Sequence, residues 1–210
     1  MILLLDTATR RPVVGLAAAD GRLLAERTWE SRHRHGEELL ARLDEALAQV
    51  GGRKQDLTGV VVGTGPGSFT GLRVGLATAK TIAYALAIPI VGVSSTRALT
   101  LAAAMANPAL HEVTVALPAG ATDRYVHRFT VSGGVPVEIG QPELVATPPA
   151  ADELDGEQIA GLAAALAQLG AAALQGGQTD DPQLLVPAYV ALPRGIAAAA
   201  AEMTWSPDLR

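Results

Sequence analysis

Short apolar runs alternate with longer stretches of helical periodicity along the first hundred residues. An apolar run bounded by turn residues predicts a buried strand, whereas apolar residues spaced three and four apart predict a helix with one buried face. The predicted order is three strands (1–6, 13–19 and 22–29), a helix (about 35–50), a strand (57–65), a helix (about 68–86), a strand (88–93) and a helix (about 95–105). Together these elements predict an α/β protein that opens with a strand meander turning at Asp20–Gly21.

The second half of the chain predicts a separate and smaller lobe that begins after Asn107 and Pro108. Its predicted elements are strands at 112–120 and 124–134, a polar loop at 148–158 and a helix at 159–174. Glycines weaken the helical prediction, and the alanine-rich tail with Trp205 is given no structure. The expected division is an N-terminal lobe at 1–105, a C-terminal lobe at 106–195 and a tail at 196–210.

Composition narrows the class of protein. The chain has no cysteine, which excludes disulfides, thiolate metal sites and a cysteine nucleophile. The apolar run that opens the chain ends at Asp6 and has no basic residues before it. We therefore expect no signal peptide, no membrane anchor and a cytoplasmic location. Residues 1–104 include twelve basic and nine acidic residues, whereas residues 105–210 include four basic and twelve acidic ones. The net charge of −5 is unfavourable for a protein that binds nucleic acid alone.

A glycine-rich stretch, GTGPGSFTGLRVG at 63–75, joins a predicted strand to a predicted helix. A Walker-type phosphate loop needs a lysine directly after its last glycine, but the first lysine after this loop is Lys80, inside the helix. The dinucleotide-binding pattern of three glycines fails at its third position. The residues instead predict a tight turn at 65–67, with Ser68 as the N-cap of the helix.

Within that helix, Gly71, Gly75, Ala79 and Ala83 recur every four residues and form a row of small side chains. Such a row lets another backbone approach closely. Each glycine costs a helix about 1 kcal/mol relative to alanine, so a close contact is expected to compensate. The row could pack on the protein's own sheet or on another subunit, and the spacing alone does not separate the two.

Four stretches together resemble the bacterial TsaB (YeaZ) family. They are LLLDTAT at 3–9, HGEELL at 35–40, the long block at 63–95 and PAYVALPRG at 187–195. The resemblance is strong over roughly 1–105 and thin beyond. It implies an actin-like, ribonuclease H-like fold of two lobes, in which mixed sheets are flanked by helices.

The resemblance also implies a role. Members are non-catalytic subunits that bind and activate a related enzyme, TsaD, which makes threonylcarbamoyladenosine beside the anticodon of tRNA. A TsaE-type ATPase joins the assembly, and tRNA is reached through the complex. No cofactor is expected on this chain alone, since ATP and metal belong to the partner subunits. The same surface can form a homodimer when the partner is absent.

Particular residues follow from the resemblance. The catalytic relative carries two metal-binding histidines where this chain has Ser95 and Leu99, so no metal site and no catalytic residue is expected. Asp6 and Thr7 match a phosphate loop that lacks its glycine here and is therefore vestigial. The first two helices are expected to face the partner. The expected interface residues are Leu39, Leu43, Ser68, Phe69, Gly71, Leu72, Gly75, Ala79 and Ala83.

The chain departs from the family pattern at two places. Pro118–Gly120 replaces an Asp-Ala-Arg-like stretch, and Tyr189–Ala191 replaces Tyr-Leu-Arg.

Two other functions stay open: a glycoprotease-like metallopeptidase and a small-molecule kinase or ATPase of the actin-like fold. The first needs metal ligands, and the second needs a working phosphate loop.

Overall fold

The computed structural model of the chain describes residues 1–31, 35–120, 122–146 and 148–190. The tail expected at 196–210, with Trp205, lies outside these residues. No helix in the described part of the chain is long and apolar enough to cross a membrane.

The described residues contain nine strands and four α-helices. The strands are β1 (Ile2–Asp6), β2 (Val13–Ala17), β3 (Leu23–Thr28), β4 (Gly59–Gly63), β5 (Ile90–Val93), β6 (Glu112–Pro118), β7 (Arg124–Ser132), β8 (Val135–Val145) and β9 (Glu153–Asp155). The helices are α1 (His35–Gln49), α2 (Phe69–Leu86), α3 (Ser95–Ala106) and α4 (Leu162–Gln175). The predicted elements of the first hundred residues are all present, and their ends agree within a few residues.

The first sheet has the order β3-β2-β1-β4-β5 and is covered by helices on both faces. Strands β4 and β5 run parallel to β1, while β2 runs antiparallel to it. Successive side chains of a strand point to opposite faces. Leu3 and Leu5 accordingly pack with α1 and α2, and Ile2 and Leu4 pack with α3 and α4. This double coverage explains why the opening run is apolar without alternation.

The second sheet, of order β8-β7-β6-β9, packs on α3. Two of its strands, β8 and β9, were not predicted. Pro136, Pro142 and Gly140 interrupt the apolar pattern of β8, which lies at the edge of the sheet, where proline is tolerated. The stretch expected as a polar loop at 148–158 contains β9, which pairs in parallel with β6.

Helix α4 lies within the segment expected to form the C-terminal lobe, 106–195. It packs on β1, β2, β4 and β5 and thus completes the first sheet's second face. Gly170 lies so close to β4 that a Cβ there would collide with Val61. The backbone after α4 then bridges to β5 through Asp180 and Ile90. The apolar residues of α4 are therefore buried against the first sheet, and the lobe boundaries expected from the sequence stay a prediction.

His127 joins the second sheet to α3. The residue is 2% exposed, and its ring has Nδ1 2.8 Å from Thr96 Oγ1 and Nε2 3.4 Å from the carbonyl oxygen of Gly140. Burial lowers the pKa of His127, and this effect outweighs those of the Gly140 carbonyl and Glu138, which raise it. The neutral imidazole is the form that fits this position.

We therefore expect the free energy of unfolding to decrease as the pH falls below about 6.5, the ordinary pKa of histidine. The unfolded chain binds the proton first, because its histidine keeps the higher pKa. Urea unfolding of the wild type and of His127→Gln at about pH 8 and about pH 5 measures this contribution. The loss of stability should be smaller in the variant, and an equal loss in both would contradict the assignment.

Candidate functional site

The candidate site is the carboxyl end of β1, where the glycine-rich loop and the start of α3 meet. Asp6 ends β1 and is 1% exposed. Ser95 Oγ donates to Asp6 Oδ2 at 2.6 Å and accepts from the N–H of Gly65 at 3.0 Å. The N–H of Ala8 donates to Asp6 Oδ1 at 2.8 Å. One hydroxyl therefore joins three segments that are distant in sequence.

The Asp6 carboxyl group has no room for an additional ligand on its Gly63 side. A Cβ at Gly63 would collide with Asp6 Oδ2 and lie 2.8 Å from Ser95 Oγ. Burial raises the pKa of Asp6 above its ordinary value, although the hydrogen bonds from Ser95 and Ala8 act in the opposite direction. The arrangement uses the carboxyl group as an acceptor within the fold.

The start of α2 lies directly on the two residues that follow Asp6. Thr7 Oγ1 donates to the carbonyl oxygen of Gly71 at 2.7 Å. The N–H of Ser68 donates to the carbonyl oxygen of Ala8 at 2.7 Å. A Cβ at Gly71 would collide with the Thr7 carbonyl oxygen, and one at Gly75 would collide with Thr7 Oγ1. The glycines of this block thus allow contact with the protein's own backbone. Ser68 is the N-cap, as predicted, and accepts from the N–H of Gly71.

The interface role expected of nine residues stays a prediction. Seven of them are buried inside the chain: Leu39, Leu43, Gly71, Leu72, Gly75, Ala79 and Ala83. The row of small residues faces the first sheet, which is the alternative that the spacing left open. Ser68 and Phe69 are half-buried.

The opposite side of α2 faces solvent. Its exposed residues are Thr70, Arg73, Ala77, Thr81, Tyr84 and Ala85. Tyr84 is 87% exposed. The spacing of three and four residues along this side is the complement of the buried row, so helical periodicity could have found it once the buried row was assigned to the sheet.

The two positions that match the relative's histidines lie in the interior. The Ser95 hydroxyl is hydrogen-bonded to Asp6 and Gly65, and Leu99 is 1% exposed within the apolar core. In the described part of the chain, no group of three or more His, Asp or Glu side chains is arranged to hold a metal ion.

A cleft of about 140 Å³ lies beside the turn between β1 and β2. Its polar lining comes from Thr9, Arg11, Glu26, Thr28 and Glu157. At its edge, Glu157 accepts from the backbone N–H of Arg10 at 2.9 Å and from Arg10 Nε at 3.1 Å. The loop after β9 is thereby tied to the first lobe.

The two sheets, their order and the flanking helices define a two-lobed α/β protein of the actin-like, ribonuclease H-like class. YeaZ from Pseudomonas aeruginosa has the same fold, with a TM-score of 0.77 at 22% identity over 90% of this chain and 98% of that one. This similarity confirms the predicted fold. The family model of TsaD, tRNA N6-adenosine threonylcarbamoyltransferase, matches residues 22–171, and the chain belongs to that family.

Curated relatives are similar over about half of the chain. An uncharacterized protein of Mycobacterium leprae, ML0378, is 44% identical over 102 residues, which cover 47% of this chain and 28% of that protein. The tRNA threonylcarbamoyladenosine biosynthesis protein TsaB of Bacillus subtilis is 36% identical over 98 residues, 47% of this chain and 42% of TsaB. The match thus spans less than half the length of these relatives. The similarity to TsaB and YeaZ confirms the resemblance seen in the sequence.

Removing the Ser95 hydroxyl should destabilise the protein strongly. Ser95→Ala leaves Asp6 Oδ2 and the Gly65 N–H without this partner in the interior, at a cost of about 2–3 kcal/mol. The matched control is Ser94→Ala, which removes the N-cap of the same helix and should cost about 1 kcal/mol. Urea unfolding measures the free energy of unfolding of both variants. Equal losses would show that the hydrogen bonds of Ser95 stabilise the protein no more than a helix cap does.

Gly75→Ala should destabilise the protein although alanine is the better helix former. Its Cβ would collide with Thr7, and we expect a net loss of about 1–3 kcal/mol. Ala77→Gly, on the exposed side of the same helix, calibrates the propensity difference at about 1 kcal/mol. If thermal unfolding showed Gly75→Ala to be as stable as the wild type or more so, the close contact between Gly75 and Thr7 would be wrong.

Proposed function

We propose that this chain is a non-catalytic subunit that binds and activates a TsaD-type threonylcarbamoyltransferase in the threonylcarbamoyladenosine modification of tRNA. The observation that carries this proposal is the hydrogen bond between Ser95 and Asp6. It closes the end of β1, the position that a nucleotide-binding or metal-binding relative would need open. Membership of the TsaD family and similarity to TsaB support the pathway.

The same geometry argues against the two other candidate functions. A metallopeptidase would need ligands at positions 95 and 99. The Ser95 hydroxyl already has two partners, and Leu99 offers no donor atom. A kinase or ATPase would need phosphate to reach the backbone after β1, where α2 already covers Thr7 and Ala8. In this proposal the chain binds neither nucleotide nor metal by itself, and both belong to its partners.

The partner surface in this proposal is the outer side of α2. Because the inner side is fixed against β1, only the outer side is available to another protein. Tyr84 supplies a large exposed apolar group near its end, and Ala77 leaves its middle flat. Leu40 of α1, 48% exposed, adds an apolar group on the neighbouring helix. In the assembly, a TsaE-type ATPase and tRNA would join through the TsaD-type subunit, and the same surface would pair two copies when that subunit is absent.

A charge in the middle of this surface should weaken the complex. We expect Ala77→Glu to reduce the affinity for the TsaD-type protein of the same organism at least about tenfold, because an unpaired charge would be buried at the contact. The free energy of unfolding should change little, since Ala77 is exposed. Titration calorimetry measures the affinity, and light scattering after size-exclusion chromatography measures the assembly.

Val137→Glu is the matched control, because Val137 is 53% exposed on the second sheet, away from α2. It should bind as the wild type does. Normal binding by both Ala77→Glu and Tyr84→Glu would exclude the outer side of α2 as the interface. Failure of the wild-type chain to associate at any salt concentration, with or without nucleotide, would contradict the proposed function itself.

A further inference from the structure

The described end of the chain forms a strap, residues 177–190, along the edge of the first sheet. The N–H of Asp180 donates to the carbonyl oxygen of Ile90 at 2.8 Å, and Asp180 Oδ2 accepts from the N–H of Gly92 at 2.8 Å. Since β5 is the last strand of this sheet, the strap gives partners to backbone groups at an otherwise open edge.

The path of the strap is set by a close fit. Leu185 packs over Gly92, where a Cβ would lie 2.6 Å from Leu185 Cδ1. Farther on, the N–H of Ala188 donates to the carbonyl oxygen of Thr64 at 2.8 Å. Thr64 belongs to the glycine-rich loop, so the strap leads from α4 to the turn that precedes α2.

The strap reaches α2 at its first residue. The rings of Tyr189 and Phe69 lie 5.1 Å apart between centroids and are tilted by 35°. The guanidinium of Arg73 is 5.3 Å from the centroid of the same Phe69 ring. Phe69 therefore contacts one residue of the strap and one residue of the outer side of α2.

We propose that the strap positions the start of α2, and that Tyr189 is the positioning residue. Thr7 and Ala8 hold this turn of the helix from the inside, and Tyr189 holds it through Phe69. The strap thereby fixes Arg73, one of the residues presented on the outer side of α2. The consequence for partner binding rests on the proposed function, whereas the positioning of α2 is a property of the chain alone.

Hydrogen exchange of the isolated, full-length chain tests the positioning directly. In Tyr189→Ala, the amides of 68–76 should exchange about two- to tenfold faster than in the wild type, the range expected for loss of an aromatic pair. Tyr189→Phe keeps the ring and should restore wild-type exchange. Leu184→Ala is the control on the same strap, because Leu184 is 76% exposed, and it should leave exchange in 68–76 unchanged.

Unchanged exchange in Tyr189→Ala would overturn the proposal, as would equal acceleration in Tyr189→Phe or Leu184→Ala. The second measurement is the affinity for the TsaD-type protein, which should decrease by a similar factor in Tyr189→Ala alone. Faster exchange with unchanged affinity would overturn the link to the partner. If the wild type bound no TsaD-type protein, the proposed function would fail, while the exchange data would still decide whether the strap positions α2.

Discussion

The contact between the start of α2 and the end of β1 is the constraint on which the rest of the structure depends. Helix backbone and strand end approach so closely that Gly71 and Gly75 leave no room for a side chain facing Thr7. The helix is thus fixed in height and rotation above the first sheet. Its buried row then meets the core, and the opposite side is turned to solvent.

The end of β1 is also closely packed by other contacts. The end of β1 is occupied from one side by α2 and from another by Ser95, whose hydroxyl satisfies Asp6 and Gly65 together. A buried carboxyl group is costly unless it is hydrogen-bonded, so these contacts stabilise the fold. Chemistry at that position would require them to break. The outer side of α2 takes no part in these contacts and is exposed.

Much of the fold could be predicted from local pattern, but the site could not. Apolar runs and helical spacing gave the elements of the first hundred residues, whereas the prolines of β8 hid a strand whose edge position tolerates them. The row containing Gly75 was correctly identified as a close-packing face, yet spacing does not reveal which backbone approaches it. Ser95 and Asp6 are 89 residues apart, and no local signal pairs a hydroxyl with a carboxyl group over that separation.

The strap shows why the end of the sequence was hard to interpret from its motif alone. Tyr189 stands in the stretch that resembles the family, but its meaning depends on Phe69, which belongs to the glycine-rich block. The two stretches contact each other, since the ring of Tyr189 lies against that of Phe69, the first residue of α2. A helix held from both sides presents its outer residues in a single arrangement. A surface presented in one arrangement lowers the conformational entropy lost on binding, which is the general physical advantage of preorganisation.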